Sequence, residues 1–146
     1  MTLDPWHVLT ANFGEFPKPY TAFATLLDMV LYFIVILNVG RARFKYKVEA
    51  PSTDGPPTFQ RIFRVQMNTL EQLVAFVPAL WLFAVFLSPA WASTLGTVWI
   101  IGRVFYAIGY YRAAEKRGAG FVIAFGAFAI LWLGALWGAI RVLLQG

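Results

Sequence analysis

The polar side chains able to do chemistry in this sequence fall into two stripes. The first lies in "FQRIFRVQMNTLEQLVAFVPALWLF", which runs from Phe59 to Phe83. At about 100° per residue, Arg61, Arg64, Asn68, Glu71 and Gln72 share an arc of about 100° on one helical face. The second lies in "GRVFYAIGYYRAAEKRGAGF". There Arg103, Tyr106 and Tyr110 share an arc of about 60°, and Arg117 falls on the same line if the helix continues. Guanidiniums take carboxylates through paired hydrogen bonds. Glu71 suits an ammonium. The set fits a zwitterionic ligand with more than one carboxylate.

The elements that must hold these stripes are set by composition. Of 146 residues, 60% are hydrophobic and only 13% charged, too few polar groups to cover a soluble surface. The chain therefore reads as one integral membrane domain over residues 1–146. There is no cysteine, which excludes disulfides, a thiolate of the chain's own and cysteine metal sites. His7 is the only histidine, so no histidine-rich metal centre is expected. The net charge of +5 points to cytoplasmic loops and anionic headgroups rather than to nucleic acid. The start, "MTLDPWHVLTANFGEFPKPY", shows no basic run followed by an apolar core, so no cleavable signal is expected.

Four apolar stretches, at about 20–40, 59–87, 92–111 and 120–144, each approach the roughly 20 residues a spanning helix needs. Short links between them predict an all-α membrane protein, a four-transmembrane-helix up-down bundle. Arg41, Arg43, Lys45 and Lys47 follow the first span; Arg112, Lys116 and Arg117 follow the third. The link "LSPAWAS" carries no charge. The positive-inside rule puts the basic links, and both polar stripes, on the cytoplasmic side, in the inner membrane if the cell is bacterial. Pro78 predicts a bend in the second span. Gly134 and Gly138, with Gly126 beside them, predict close packing within the bundle or between subunits.

The competing reading of the stripes is snorkelling cations and structural ion pairs. Arg61 and Arg112 suit headgroup contact, and Glu71 could pair with Arg64 or Arg103. Yet an ionisable group inside a membrane costs about 2.5–3.5 kcal/mol on insertion scales. Several of them on matching faces favour a polar site for a charged ligand. Asp28, a further acid inside the first span, is expected to play a structural part.

The stretches "FQRIFRVQMNTLEQLVAFVPALW", "VGRARFKYKV" and "GRVFYAIGYYRAAEKRGAGF" resemble the MAPEG family, the membrane-associated proteins in eicosanoid and glutathione metabolism. The resemblance runs from about residue 30 and is to the microsomal glutathione transferase and leukotriene synthase branch. It implies a homotrimer that binds glutathione at subunit interfaces, with a hydrophobic electrophile or lipid substrate arriving from the bilayer. It implies glutathione contacts for Arg43, Arg64, Gln66, Asn68, Glu71, Gln72, Tyr106 and Tyr110. Arg117 would stand by the sulfur as the catalytic residue, with Arg61 and Arg103 in support. It implies no metal, and adds a glutathione-dependent lipid hydroperoxide peroxidase activity as a side reaction.

The sequence departs from the family pattern at three places. Gln60 precedes Arg61 where an acid is usual. Gln72 stands where leukotriene synthases have a tyrosine. Phe44 occupies the place of a second arginine in some members. These departures speak against a dedicated leukotriene synthase. Rival readings are a non-catalytic lipid-binding scaffold, which in this family lacks the arginine matching Arg64, and a small transporter. The apolar outer halves of the helices, such as "VAFVPALWLFAVF", count against a continuous path.

Overall fold

The structure, a computed structural model, describes residues 19–145. The expectations for His7 and for the start of the chain lie outside the described residues. Four helices follow one another: α1 Pro19–Tyr46, α2 Pro57–Phe86, α3 Pro89–Arg112 and α4 Gly118–Gln145, with a 3₁₀ turn, Ala114–Arg117, before α4. All four are long and apolar enough to cross a membrane. The chain is a multi-pass integral membrane protein with the predicted four-helix architecture.

Local chemistry sets the helix ends. Tyr46 closes α1 because Lys47 turns into the left-handed region at φ 55° and the Val48 amide bonds back to the Arg43 carbonyl at 3.1 Å. That is the bond pattern of a Schellman stop. Pro57 opens α2, where a missing N–H is harmless. Ser88 caps α3, its hydroxyl accepting from the Trp91 amide at 3.3 Å, with Pro89 in the first turn. The helix α2 runs through Pro78 unbroken.

At about 1.5 Å per residue, the 28 residues of α1 reach about 42 Å, beyond a hydrocarbon core of about 30 Å. The last turns of α1, with Arg41, Arg43 and Lys45, therefore project past the lipid.

Both α1 and α4 pack on α2 and α3. The main core gathers Ala24, Leu31, Phe76, Leu80, Trp99, Ala124 and Leu131. Phe76 stacks on Trp99 with ring centroids 4.1 Å apart. Large apolar side chains on the outer faces stay uncovered, among them Phe33, Ile34, Trp132 and Leu133. In lipid that is the normal state of such a face.

The seam between α3 and α4 depends on glycine. A Cβ on Gly120 would collide with the backbone of Tyr106, and one on Gly102 would meet the backbone of Ala124. Gly134 and Gly138 lie against Phe83 and Phe86 of α2, so this pair serves packing within the chain, whereas Gly126 faces open space.

Asp28 is fully buried on the inner face of α1, and neither carboxylate oxygen has a hydrogen-bond partner among the described residues. Its neighbours along that face, Ala24 and Leu31, belong to the apolar core.

Candidate functional site

The helical period brings Asn68, Glu71 and Gln72 to one face of α2, and Arg103 and Tyr106 to the facing side of α3. With Arg117, Gly118 and Phe121 they line a cavity of about 440 Å³. This lies within the roughly 300–1,000 Å³ range of small-molecule sites. The cavity sits in the half of the bundle that carries the basic links.

Arg117 does not arrive by continuation of α3. That helix stops at Ala113, whose backbone is extended at φ −162° and ψ 145°. The 3₁₀ turn then folds back over the helix end. Gly109 makes this possible: a Cβ there would collide with the carbonyl of Lys116. With the backbones so close, Arg117 Nη1 donates to Tyr110 Oη at 3.0 Å, and its guanidinium lies 5.0 Å from the Tyr110 ring centroid. Tyr106 and Tyr110 meet edge to face at 5.6 Å.

The bonds between α2 and α3 are just as close. Asn68 Nδ2 donates to Tyr106 Oη at 2.6 Å. Arg103 is 1% exposed, and its Nη2 donates to Thr69 Oγ1 at 2.6 Å. Thr69 in turn donates to the Val65 carbonyl at 2.7 Å. The Arg103 guanidinium lies 4.1 Å from the Tyr106 ring centroid, within cation–π range. Its Nε and Nη1, and Gln72 Oε1, have no hydrogen-bond partner among the described residues. Buried polar atoms are seldom left so. They give the wall unused donors and an unused acceptor. Arg103 and Arg117 supply two positive charges, and exposed Glu71 one negative charge.

Of the residues picked from sequence, Asn68, Glu71, Gln72, Tyr106 and Arg117 meet at the cavity, and Tyr110 joins them through Arg117. Arg103, expected to act from behind, lines the wall itself. Arg64 is exposed on α2, one turn from Asn68 toward the loop, and does not line the cavity. Two others point elsewhere. Gln66 Nε2 donates to Tyr32 Oη of α1 at 3.0 Å. Arg43 Nη1 donates to the carbonyls of Val48 at 3.4 Å and Ser52 at 2.8 Å, clasping the α1–α2 link, and its guanidinium lies 5.5 Å from the Phe59 ring centroid. Arg61 bonds Thr58 Oγ1 at 3.2 Å within its own helix. Gly118 and Phe121 were not foreseen. The signal was there: Phe121 follows Arg117 by one helical turn.

A four-span bundle with such a cavity at its basic end defines a class of membrane protein, and comparison with known sequences gives the class its name. The MAPEG family profile matches residues 21–137, so this chain belongs to the MAPEG family. It is similar to an uncharacterized protein of Synechocystis sp., 51% identical over 80% of this chain and 85% of the relative. It is also similar to human microsomal glutathione S-transferase 2, 45% identical over 68% of this chain and 69% of that protein. With bovine leukotriene C4 synthase it shares 38% identity over 66% of this chain and 64% of that protein.

Proposed function

We propose that this protein is a membrane-bound glutathione transferase that joins the glutathione thiolate to hydrophobic electrophiles. The observation that carries the reading is the Arg117–Tyr110 pair at the edge of a cavity lined also by Glu71 and Asn68 of α2 and by Arg103 of α3. Glutathione is a zwitterion with two carboxylates, one ammonium and a thiol. Arg103, with Arg64 beside the cavity, suits the carboxylates, and Glu71 suits the ammonium. The amide and phenol of Asn68 and Tyr106, with Gln72, offer partners to its peptide groups. Two relatives that bear transferase and synthase names support the same reading.

The chemical step needs a thiolate. A free thiol with a pKa near 8.5 is mostly protonated at neutral pH. A fixed guanidinium beside the sulfur favours the anion without losing its own proton. Arg117 takes that role, held by Tyr110 so that little reorganisation is needed. The thiol proton leaves to water. The sulfur then forms a bond to the electrophilic carbon of a substrate that enters from the bilayer. The carbon's bond to its leaving group breaks and that group departs as an anion, or, in an activated alkene, the π bond opens and the carbanion takes a proton from water. Holding the two reactants together supplies orientation. The same thiolate would reduce a lipid hydroperoxide. It attacks the terminal oxygen, the O–O bond breaks, and the lipid leaves as its alcohol after taking a proton from water. A second glutathione then displaces water from the resulting sulfenic acid to give glutathione disulfide.

Arg43 and Gln66 point away from the cavity of their own chain. In a homotrimer with glutathione at the subunit interfaces, they complete the cavity of a neighbour. The basic links, and with them the site, face the cytoplasm.

The test is ultraviolet detection of bound glutathione thiolate at neutral pH on detergent-solubilised protein, beside Arg117→Ala. A thiolate band in the native protein that is absent in the variant supports transferase chemistry at Arg117. Glutathione binding without a band in either protein removes the mechanism. No binding at all sinks the transferase reading in favour of a lipid-binding scaffold.

A further inference from the structure

A second cavity, of about 370 Å³, lies on the other side of the α3–α4 hairpin from the tyrosines. Its walls are Phe105 and Ile108 of α3 and Ala119 and Ile123 of α4, and Gly109 and Gly120 also line it. The two glycines bring the helix backbones together at this level, and the missing side chains leave a groove above them. Phe105, Ile108 and Ile123 are exposed. Arg112 and Lys116 line the same groove, and both are exposed at the loop end of the bundle. From Phe105 to Arg112 the groove rises about 10 Å along the helix.

This pattern is amphipathic along one axis: apolar at membrane depth and doubly cationic where the helices leave the lipid. Glu115 is exposed on the same turn but does not line the groove. Arg117, the other cation of the turn, is engaged with Tyr110. Basic pockets between membrane helices bind the head groups of anionic lipids. A soluble anion would have no use for the apolar walls, and an apolar molecule alone would have none for the two cations.

We propose that the outer groove of the α3–α4 hairpin is a binding site for one anionic phospholipid, with its phosphate between Arg112 and Lys116 and an acyl chain against Phe105, Ile108 and Ile123. The lipid covers the outside of the seam that holds Tyr106 and the turn before Arg117. The site does not depend on the identity of the ligand in the inner cavity.

The test is native mass spectrometry of the protein in detergent with phosphatidylglycerol and phosphatidylcholine of equal chain length. The native protein is expected to retain phosphatidylglycerol preferentially. Arg112→Gln with Lys116→Gln is expected to lower phosphatidylglycerol affinity roughly thirtyfold, about fivefold per cation, with phosphatidylcholine unchanged. Arg112→Lys with Lys116→Arg keeps both charges and is expected to keep the preference, which separates charge from loss of fold. Ile108→Trp, which fills the groove from an exposed position, is expected to weaken both lipids. Equal phosphatidylglycerol retention by the native and charge-neutral proteins would overturn the proposal. So would competition by free glycerol phosphate as strong as by the whole lipid, because the groove would then be a small-anion site.

Discussion

Arg117 Nη1 donates to Tyr110 Oη at 3.0 Å even though α3, the helix of Tyr110, ends at Arg112. The bond crosses a break in the helix and so pins the 3₁₀ turn onto the helix before it. If Arg117 stabilises the thiolate, Arg117→Ala is expected to lower kcat/KM by about 10²–10³, the usual effect of removing one preorganised charge stabiliser. Tyr110→Phe leaves the cation but frees it to move, and about a tenfold loss is expected. Stopped-flow conjugation with a chloronitrobenzene electrophile measures both.

The Asn68–Tyr106 bond at 2.6 Å joins α2 to α3 across the cavity. Tyr106→Phe removes the acceptor and leaves the Asn68 amide without it. Loss of one partner from such a pair costs about 1–3 kcal/mol. Calorimetry is expected to show glutathione binding weakened by about 5- to 150-fold, and Asn68→Ala in the Tyr106→Phe background to add little.

Glycine at 120 is a steric requirement, because a Cβ there would collide with the Tyr106 backbone. Gly120→Ala is expected to lower stability by about 1–3 kcal/mol, as overpacking does. Gly126 has nothing within reach of a new Cβ. Gly126→Ala is expected to be neutral or to stabilise the helix by up to about 1 kcal/mol. Thermal unfolding in one detergent, with the two variants side by side, checks the contrast.

A ligand that binds only the folded state stabilises it by mass action. Glutathione at about 100 times its Kd is expected to add about 2.7 kcal/mol to unfolding. Glu71→Gln is expected to need a higher glutathione concentration for the same rise in midpoint. A midpoint that does not respond to glutathione in either protein would contradict the proposed occupant.

Subunit mixing addresses the assembly. Arg43→Ala and Arg117→Ala proteins are each expected to be impaired alone. Co-expressed, they are expected to recover part of the activity, because some mixed interfaces would hold both arginines. No recovery would mean that Arg43 serves its own chain only.

The four spans were readable because apolar length is a strong signal, and the glycine, serine and proline residues at the links marked their ends. The inner end of α1 was less so. Its last residues, Arg41 to Tyr46, are polar enough to look like loop, yet the helix carries on out of the lipid until Lys47 turns it. The polar stripes were legible as periodicity, which put Asn68 and Tyr106 on two polar faces at the same depth. Periodicity could not foresee that Arg117 reaches Tyr110 by a turn, since that depends on the contact between Gly109 and Lys116. Nor could it separate Gln66 from its neighbours in the motif. Gln66 sits about 160° round the helix from Asn68 and finds Tyr32 instead.

Asp28 has a consequence for how the molecule is made. The helix α1 carries a carboxyl that no described side chain bonds. An acid at the centre of a lone span opposes insertion by about 2.5–3.5 kcal/mol. That penalty weighs most while α1 is alone in lipid; in the folded bundle the position is fully buried. Insertion of α1 alone is therefore expected to be less favourable than insertion of α1 together with the helices that bury Asp28.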